Sequence, residues 1–327
     1  MKFTQKQILI GIIATVLLAS GCASQTQGQN SGDSGSATAP MQIQEFSAFP
    51  DPAPSDNQVT FRMELKNTGG ADAEDVIAKL TNPPWAEDSS DTRTWRGDEG
   101  GGVRNDVGNR SFYFDTMEGQ SDDVERFSRT ETLSLTSPDL NEDQSFPYNF
   151  IAELSYKYKT TGSTSISVMD EETFRENNGE RSNTVTIDHN DAPIHLEGQL
   201  QDGNPVVFYD SDEGSKTVDF CVVVLNEGEG TVFSRSAHQD SRYVVDDQNK
   251  NKVQLRIESL GSTTIDGSDS VDVETELVGG DKKRECFEME IDGLANSGSQ
   301  KEIGPINIEA SYGYQKSQSR TVTVEGR

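Results

Sequence analysis

The sequence predicts an all-β chain of two consecutive antiparallel β-sandwiches behind an export and anchoring segment. Three observations predict it. Apolar and polar residues alternate with period two through most of the chain, a pattern of blocks in the first half recurs in the second, and a short basic and apolar start leads into a cysteine. Period-two alternation turns one row of side chains toward a core and the next toward water, as a half-buried strand requires.

The start is read first, because targeting segments must be set aside before fold is considered. Lys2 and Lys6 precede an apolar stretch over residues 8–18 that only Gly11 and Thr15 interrupt. A bilayer span needs about 20 apolar residues, so this stretch is too short to cross. Ala19-Ser20-Gly21 then leads into Cys22, which resembles the lipobox at which lipoprotein signal peptides are cleaved, although Leu18 stands one step further from the cysteine than is usual. Residues 1–21 are expected to leave as a signal peptide and Cys22 to carry the lipid. Residues 22–40, rich in Ser, Gly, Gln and Thr, lack apolar periodicity and read as a flexible tether.

Lys and Arg number 28 against 56 Asp and Glu, a formal net charge of -28. Phosphate contacts need cations, so nucleic acid is excluded as a partner. The acid is spread along the whole chain rather than gathered in a tail, which suits a surface working in high salt, where repulsion is screened within about 3 Å at 1 M. A haloarchaeal source fits that pattern. Calcium is the rival explanation, with Asp210, Asp212, Asp266 and Asp269 as weak candidates, but no run keeps EF-hand spacing and no metal is assigned.

The repeat sets the domain organisation. Val59-Thr60-Phe61-Arg62-Met63-Glu64-Leu65-Lys66-Asn67-Thr68-Gly69 has its counterpart in Val218-Asp219-Phe220-Cys221-Val222-Val223-Val224-Leu225-Asn226-Glu227-Gly228. Phe112-Tyr113-Phe114 then answers to Val271-Asp272-Val273, Leu133-Ser134-Leu135 to Phe287-Glu288-Met289, and Glu153-Leu154-Ser155-Tyr156 to Glu309-Ala310-Ser311-Tyr312. The offsets are 159, 159, 154 and 156 residues, so the blocks keep their order and nearly their spacing. Thr184-Val185-Thr186-Ile187 and Thr321-Val322-Thr323-Val324 read as the closing strands of the two halves. A first domain over 41–190 and a second over 191–327 follow, with a hairpin insertion expected over 159–183, ending in a loop or short helix. Gly, Asn and Asp punctuate the intervals, which indicates an antiparallel sandwich rather than a parallel sheet.

The chemistry-bearing residues are sparse. His189, His195 and His238 are the 3 histidines, and none stands in a nucleophile-elbow or zinc-protease context. No phosphate-binding glycine loop opens a helix. No enzyme activity and no cofactor are therefore expected. Asn109-Arg110-Ser111 fits the N-glycosylation pattern and marks Asn109 as a candidate acceptor. Trp85 and Trp95 flank an acidic loop without counterpart in the second half; core packing is the preferred reading, because large aromatics dominate small sandwich cores, and a platform for a stacked sugar is the competing one.

The strand ending in Asn67-Thr68-Gly69-Gly70, followed by Ala71-Asp72-Ala73-Glu74-Asp75-Val76, resembles the immunoglobulin-like repeats of bacterial and archaeal surface proteins, notably the CARDB-type adhesion modules, and Asn226-Glu227-Gly228 is a looser echo. The resemblance implies seven-stranded sandwiches that space or present other elements at a cell surface. In that strand order Cys221 and Cys286 lie on neighbouring strands of one sheet, both out of phase with the apolar row. A Cys221 to Cys286 disulfide on the outer sheet face is expected, with free thiols, or metal ligation together with His195 or His238, as alternatives. The whole implies a lipid-anchored, non-catalytic protein on the outer face of the membrane, with a surface protein or glycan partner. An accessory lipoprotein using the Trp85 to Trp95 loop is the second reading.

Overall fold

A computed structural model of the chain describes residues 40–81, 85–87, 96–97, 111–120, 128–209, 214–239, 242–243, 245–260, 263–294 and 298–327. The alternating blocks of the first repeat become β1 (Met41–Phe49), β2 (Gln58–Asn67), β3 (Ala73–Thr81), β4 (Ser111–Met117), β5 (Arg129–Thr136) and β6 (Ser145–Asp170). Helix α1 (Glu171–Glu176) follows, started by Asp170, whose carboxylate accepts the Thr173 N–H at 2.7 Å. The second repeat supplies β7 (Ile194–Asn204), β8 (Ser215–Asn226), β9 (Lys252–Ser259), β10 (Ser270–Glu276), β11 (Lys282–Asp292) and β12 (Gln300–Glu325). In β2, Val59, Phe61, Met63 and Leu65 are buried while Arg62 between them is exposed.

The protein is all-β, with antiparallel sandwiches as the sequence predicts. One flanking sheet contains β1, β2 and β5 in that order, and the other contains β7, β8 and β11, with Ser182–Val185 beyond β7. Both pack on one long sheet ordered β10-β9-β12-β6-β3-β4. In immunoglobulin terms β1, β2 and β5 hold the A, B and E places, and β3, β4 and β6 hold C, C′ and F. The second repeat places β7, β8, β11, β9, β10 and β12 likewise, except that its third strand is split. Thr231–Phe233 pairs with β12 at residues 313–315, and β9 resumes against residues 306–311 after an excursion containing a 3-10 turn at Arg235–Ala237.

The two sandwiches are not separate bodies. β6 and β12 are 26 residues each and pair antiparallel from Ser145 against Glu325 to Met169 against Gln300. The first half of β6 is therefore the F strand of its own sandwich, and its second half fills the place beside F, the G place, in the other. β12 does the reverse. Each exchanged half is also met by a parallel segment, Ala53–Pro54 at the end of β12 and Val206–Phe208 at the end of β6. The described residues from Pro40 to Arg327 belong to one compact unit, and most of their buried apolar side chains form one large cluster, with Ile77 and Tyr113 apart from it.

Two expectations are corrected by this exchange. The hairpin expected over 159–183 is the second half of β6, running unbroken to Asp170, and then α1. Gly162 is the one glycine in that half of β6, and it makes no turn. It serves closeness instead: a Cβ would stand 3.0 Å from the carbonyl oxygen of Asp188 in the paired segment Asp188–His189. Nor does the strand at Thr184 close the first sandwich, because Thr184 and Val185 pair with Gln199 and Gly198 of β7. At offset 156, the counterpart of Thr321-Val322-Thr323-Val324 is Ser165-Ile166-Ser167-Val168 inside β6.

Candidate functional site

Cys221 and Cys286 face each other directly in the β8–β11 ladder, with Cα atoms 4.0 Å apart, and are joined by a disulfide. Their neighbours Phe220, Val222 and Phe287 point into the core, so the bridge lies on the outer face of the flanking sheet, as the alternation required. The guanidinium of Arg284 donates toward Cys221 Sγ at 3.1 Å.

The other sequence-derived sites have mixed fates. Cys22, Trp95, Asn109, Asp210 and Asp212 lie outside the described residues. Trp85 is core rather than platform: it is buried, its ring is T-shaped to Phe150 at 4.8 Å and to Phe61 at 6.1 Å, and it belongs to the main apolar cluster. Asp266 turns its carboxylate onto the Glu288 N–H at 2.8 Å, and the Asp269 carbonyl accepts the Ser259 N–H at 2.9 Å. Among the described residues no three His, Cys, Asp or Glu side chains gather as a metal cluster, and no helix is long and apolar enough to cross a membrane.

The repeated Asn-x-Gly motif has a physical account. Asn67 donates its amide to the Ala71 carbonyl at 2.9 Å, and Asn226 donates to the Gly230 carbonyl at 3.2 Å, each holding the turn after its B strand. The hydroxyl of Tyr158 accepts the Ala71 N–H at 3.0 Å, and that of Tyr314 accepts the Gly230 N–H at 2.7 Å. A Cβ on Gly69 would overlap the Tyr158 hydroxyl, and one on Gly228 the Tyr314 hydroxyl. Glycine is needed because each turn must approach a tyrosine tip. The motif is thus a latch that fastens each B–C turn to a long strand.

Four tyrosines occupy the middle of the molecule. Tyr156 faces Tyr314 and Tyr158 faces Tyr312 across the ladder, with ring centroids 5.8 and 6.4 Å apart. All are fully buried, and burial raises every one of these hydroxyls above the ordinary phenol value. The Tyr312 hydroxyl donates to the Thr160 hydroxyl at 3.1 Å, and Thr160 donates in turn to the Ile194 carbonyl at 2.9 Å. On the opposite face of the same ladder, Lys157 pairs with Asp75 at 2.5 Å, and Arg235 with Glu74 at 2.5 Å. There the Phe233 ring lies against Gly313, occupying the space a Cβ would need.

One arrangement escaped sequence reasoning. His189, in the segment paired with β6, and His195, on β7, meet with Nε2 of the first 2.6 Å from Nδ1 of the second. Their rings are perpendicular, centroids 4.4 Å apart, and both residues are half-buried. His189 Nδ1 lies 2.9 Å from the Asn190 carbonyl. A carbonyl only accepts, so Nδ1 carries a proton, and with Nε2 as acceptor the His195 Nδ1–H is the donor across the 2.6 Å gap. The available signal was weak: two histidines six residues apart at the junction of the repeats.

No protein-family model matches the chain, and comparison with curated proteins gives no match. Among solved structures, the C-terminal globular domain of the oligosaccharyltransferase from Pyrococcus abyssi is similar at a TM-score of 0.22 and 9% identity, over 88% of this chain and 50% of that one. The chain thus spans about half that structure's length. Collagen adhesin from S. aureus follows at a TM-score of 0.10 and 10% identity, over 87% of this chain and 92% of that one.

Proposed function

We propose that this is a lipid-anchored, extracytoplasmic protein whose fused sandwiches act as a non-catalytic spacer at the cell surface, presenting loops to a protein or glycan partner. The observation that carries the reading is the exchange of β6 and β12 halves, which leaves no flexible linker between the repeats and lets both project as one stiff body. A pair of freely hinged modules would need a polar, contact-poor connection instead.

Other features agree with the role. The lipobox-like run into Cys22 would anchor the chain, and 18 tether residues would span on the order of 25 Å as a random coil, clear of the headgroups. The Cys221 to Cys286 disulfide suits an oxidising exterior. The net charge of -28 suits a salt-rich one, as on a haloarchaeal surface. The adhesion role of CARDB-type modules is the model for this reading.

The test is expression in a lipoprotein-processing host with a membrane anchored outward. Mass spectrometry of the intact wild-type protein is expected to find residue 22 as the acylated N-terminus, with external protease removing the sandwiches from whole cells. Cys22→Ser is expected to release the protein into the medium. An unmodified Cys22 in a protein retained inside the cell would overturn the proposal.

A further inference from the structure

We infer that His189 and His195 form a binding site for one divalent transition-metal ion of the kind imidazole prefers, Zn2+, Ni2+ or Cu2+. Geometry comes first. Two ring nitrogens from different layers converge to 2.6 Å, His189 from the long sheet and His195 from the flanking sheet of the second sandwich. Metal–imidazole bonds are about 2.0–2.1 Å, so two nitrogens sharing an ion stand roughly 3 Å apart. A small rotation of either ring opens the present gap to that distance.

The surroundings are those of a built ligand. His189 gives its Nδ1–H to a backbone carbonyl, which leaves Nε2 as the acceptor of the 2.6 Å contact and His195 Nδ1 as its donor. An ion would take the place of that shared proton, which moves to His195 Nε2 or to water, and metal-bound histidines are oriented by the same kind of second-nitrogen hydrogen bond. The segment carrying His189 is itself held. Asn190 Oδ1 accepts the Thr161 N–H at 2.7 Å, and the Asn190 N–H returns to the Thr161 carbonyl at 3.1 Å. Gly162 makes room for this close approach, since a Cβ there would stand 3.0 Å from that of His189.

Charge points the same way. Asp188, Asp191 and Glu197 lie within two residues of the pair in a chain of net charge -28, a setting that concentrates cations. No third His, Cys, Asp or Glu among the described residues joins the two imidazoles, so the remaining positions would go to water or a ligand from outside. A site with open positions is one that a partner's own histidine or carboxylate can complete. The ion would also tie the junction between the repeats to β7.

The experiment is calorimetric titration of the tag-free, chelator-treated protein with ZnCl2 and with NiCl2. The wild type is compared with His189→Ala, His195→Ala, the double variant and His238→Ala. The double variant measures background binding by the acidic surface, and a melting curve of each variant shows that it is folded. The expected result is one saturable site above that background, weakened about tenfold or more by either single substitution and unchanged by His238→Ala. Cu2+ bound to the wild type should show nitrogen hyperfine structure in its electron paramagnetic resonance spectrum, and the double variant should not. Equal affinity and stoichiometry in the wild type and the folded double variant would overturn the inference.

Discussion

Lys157 and Gly313 face each other at the centre of the β6–β12 ladder, and they are equivalent positions of the two repeats. Around them Tyr156 faces Tyr314 and Tyr158 faces Tyr312, so the ladder reads the same from either end about an axis through this pair. Such self-complementary contact is what a two-fold homodimer makes. Here one chain makes it with itself. At the axis the two sides differ in their cover: Lys157 is held by Asp75, whereas Gly313 is covered by Phe233, and away from it a register shift between Ile303 and Ile306 marks one end alone.

The latch predicts a coupled pair of substitutions. Gly228→Ala forces a methyl group into the Tyr314 hydroxyl and toward the Pro193 ring, and is expected to destabilise by about 1–3 kcal/mol, the usual cost of overpacking. Tyr314→Phe loses one hydrogen bond, about 1 kcal/mol, and removes the atom that clashes. Gly228→Ala should therefore cost less in the Tyr314→Phe background than alone when both are followed by denaturant unfolding. Equal costs in the two backgrounds would show that the glycine is there for another reason.

Burial of the four central tyrosines predicts a loss of stability in alkali. Burial holds Tyr156, Tyr158 and Tyr312 well above the ordinary phenol range and pushes Tyr314 up to about 12. The folded state thus prefers the neutral hydroxyl. Its contribution is complete below the unfolded value of about 10 and is lost as pH rises from 10 through 12. Phenolate absorbance should show these tyrosines ionising together with unfolding; independent ionisation in a chain that stays folded would contradict the packing.

The disulfide predicts a redox-dependent stability. It closes a loop of 65 residues, which the chain-entropy relation values at roughly 4 kcal/mol. The Cys221→Ser/Cys286→Ser variant, and the wild type under reductant, should unfold at lower denaturant by a matching amount. Cys286 is exposed while Cys221 is covered, so a small reductant has a sulfur to reach without unfolding. An unchanged midpoint on reduction would remove the bridge from the account of stability.

What could be read from residues alone was what repeats locally. The alternation of Val59, Phe61, Met63 and Leu65 states which face of β2 is buried, and the same rule placed Cys221 opposite Phe220. Strand exchange is a choice of distant partner, and a period of two says nothing about which strand lies alongside. One local cue was legible in retrospect: Gln315-Lys316-Ser317-Gln318-Ser319-Arg320 has no Gly, Pro, Asn or Asp, only the weaker turn former Ser, so it carries little to break β12. The histidine pair depends on the register of two different sheets, which no local pattern carries, whereas the core packing preferred for Trp85 is what its contacts with Phe61 and Phe150 show.

Sharing β6 and β12 predicts that the two sandwiches unfold as one. Phe61 lies deep in the first sandwich, 4.3 Å from the Phe150 ring on β6, and Phe61→Ala should cost about 3–5 kcal/mol through the cavity it leaves. Were the repeats independent, that loss would lower one transition and leave a second untouched. With each sandwich owing one strand to the other, melting the first strips the second half of β6 from the edge of the second. A calorimetric scan should therefore give a single peak in the wild type and a single, shifted peak in the variant. Tryptophan fluorescence and exchange of the amides of β8 should report the same midpoint, because neither sandwich keeps a complete long sheet once its partner is gone.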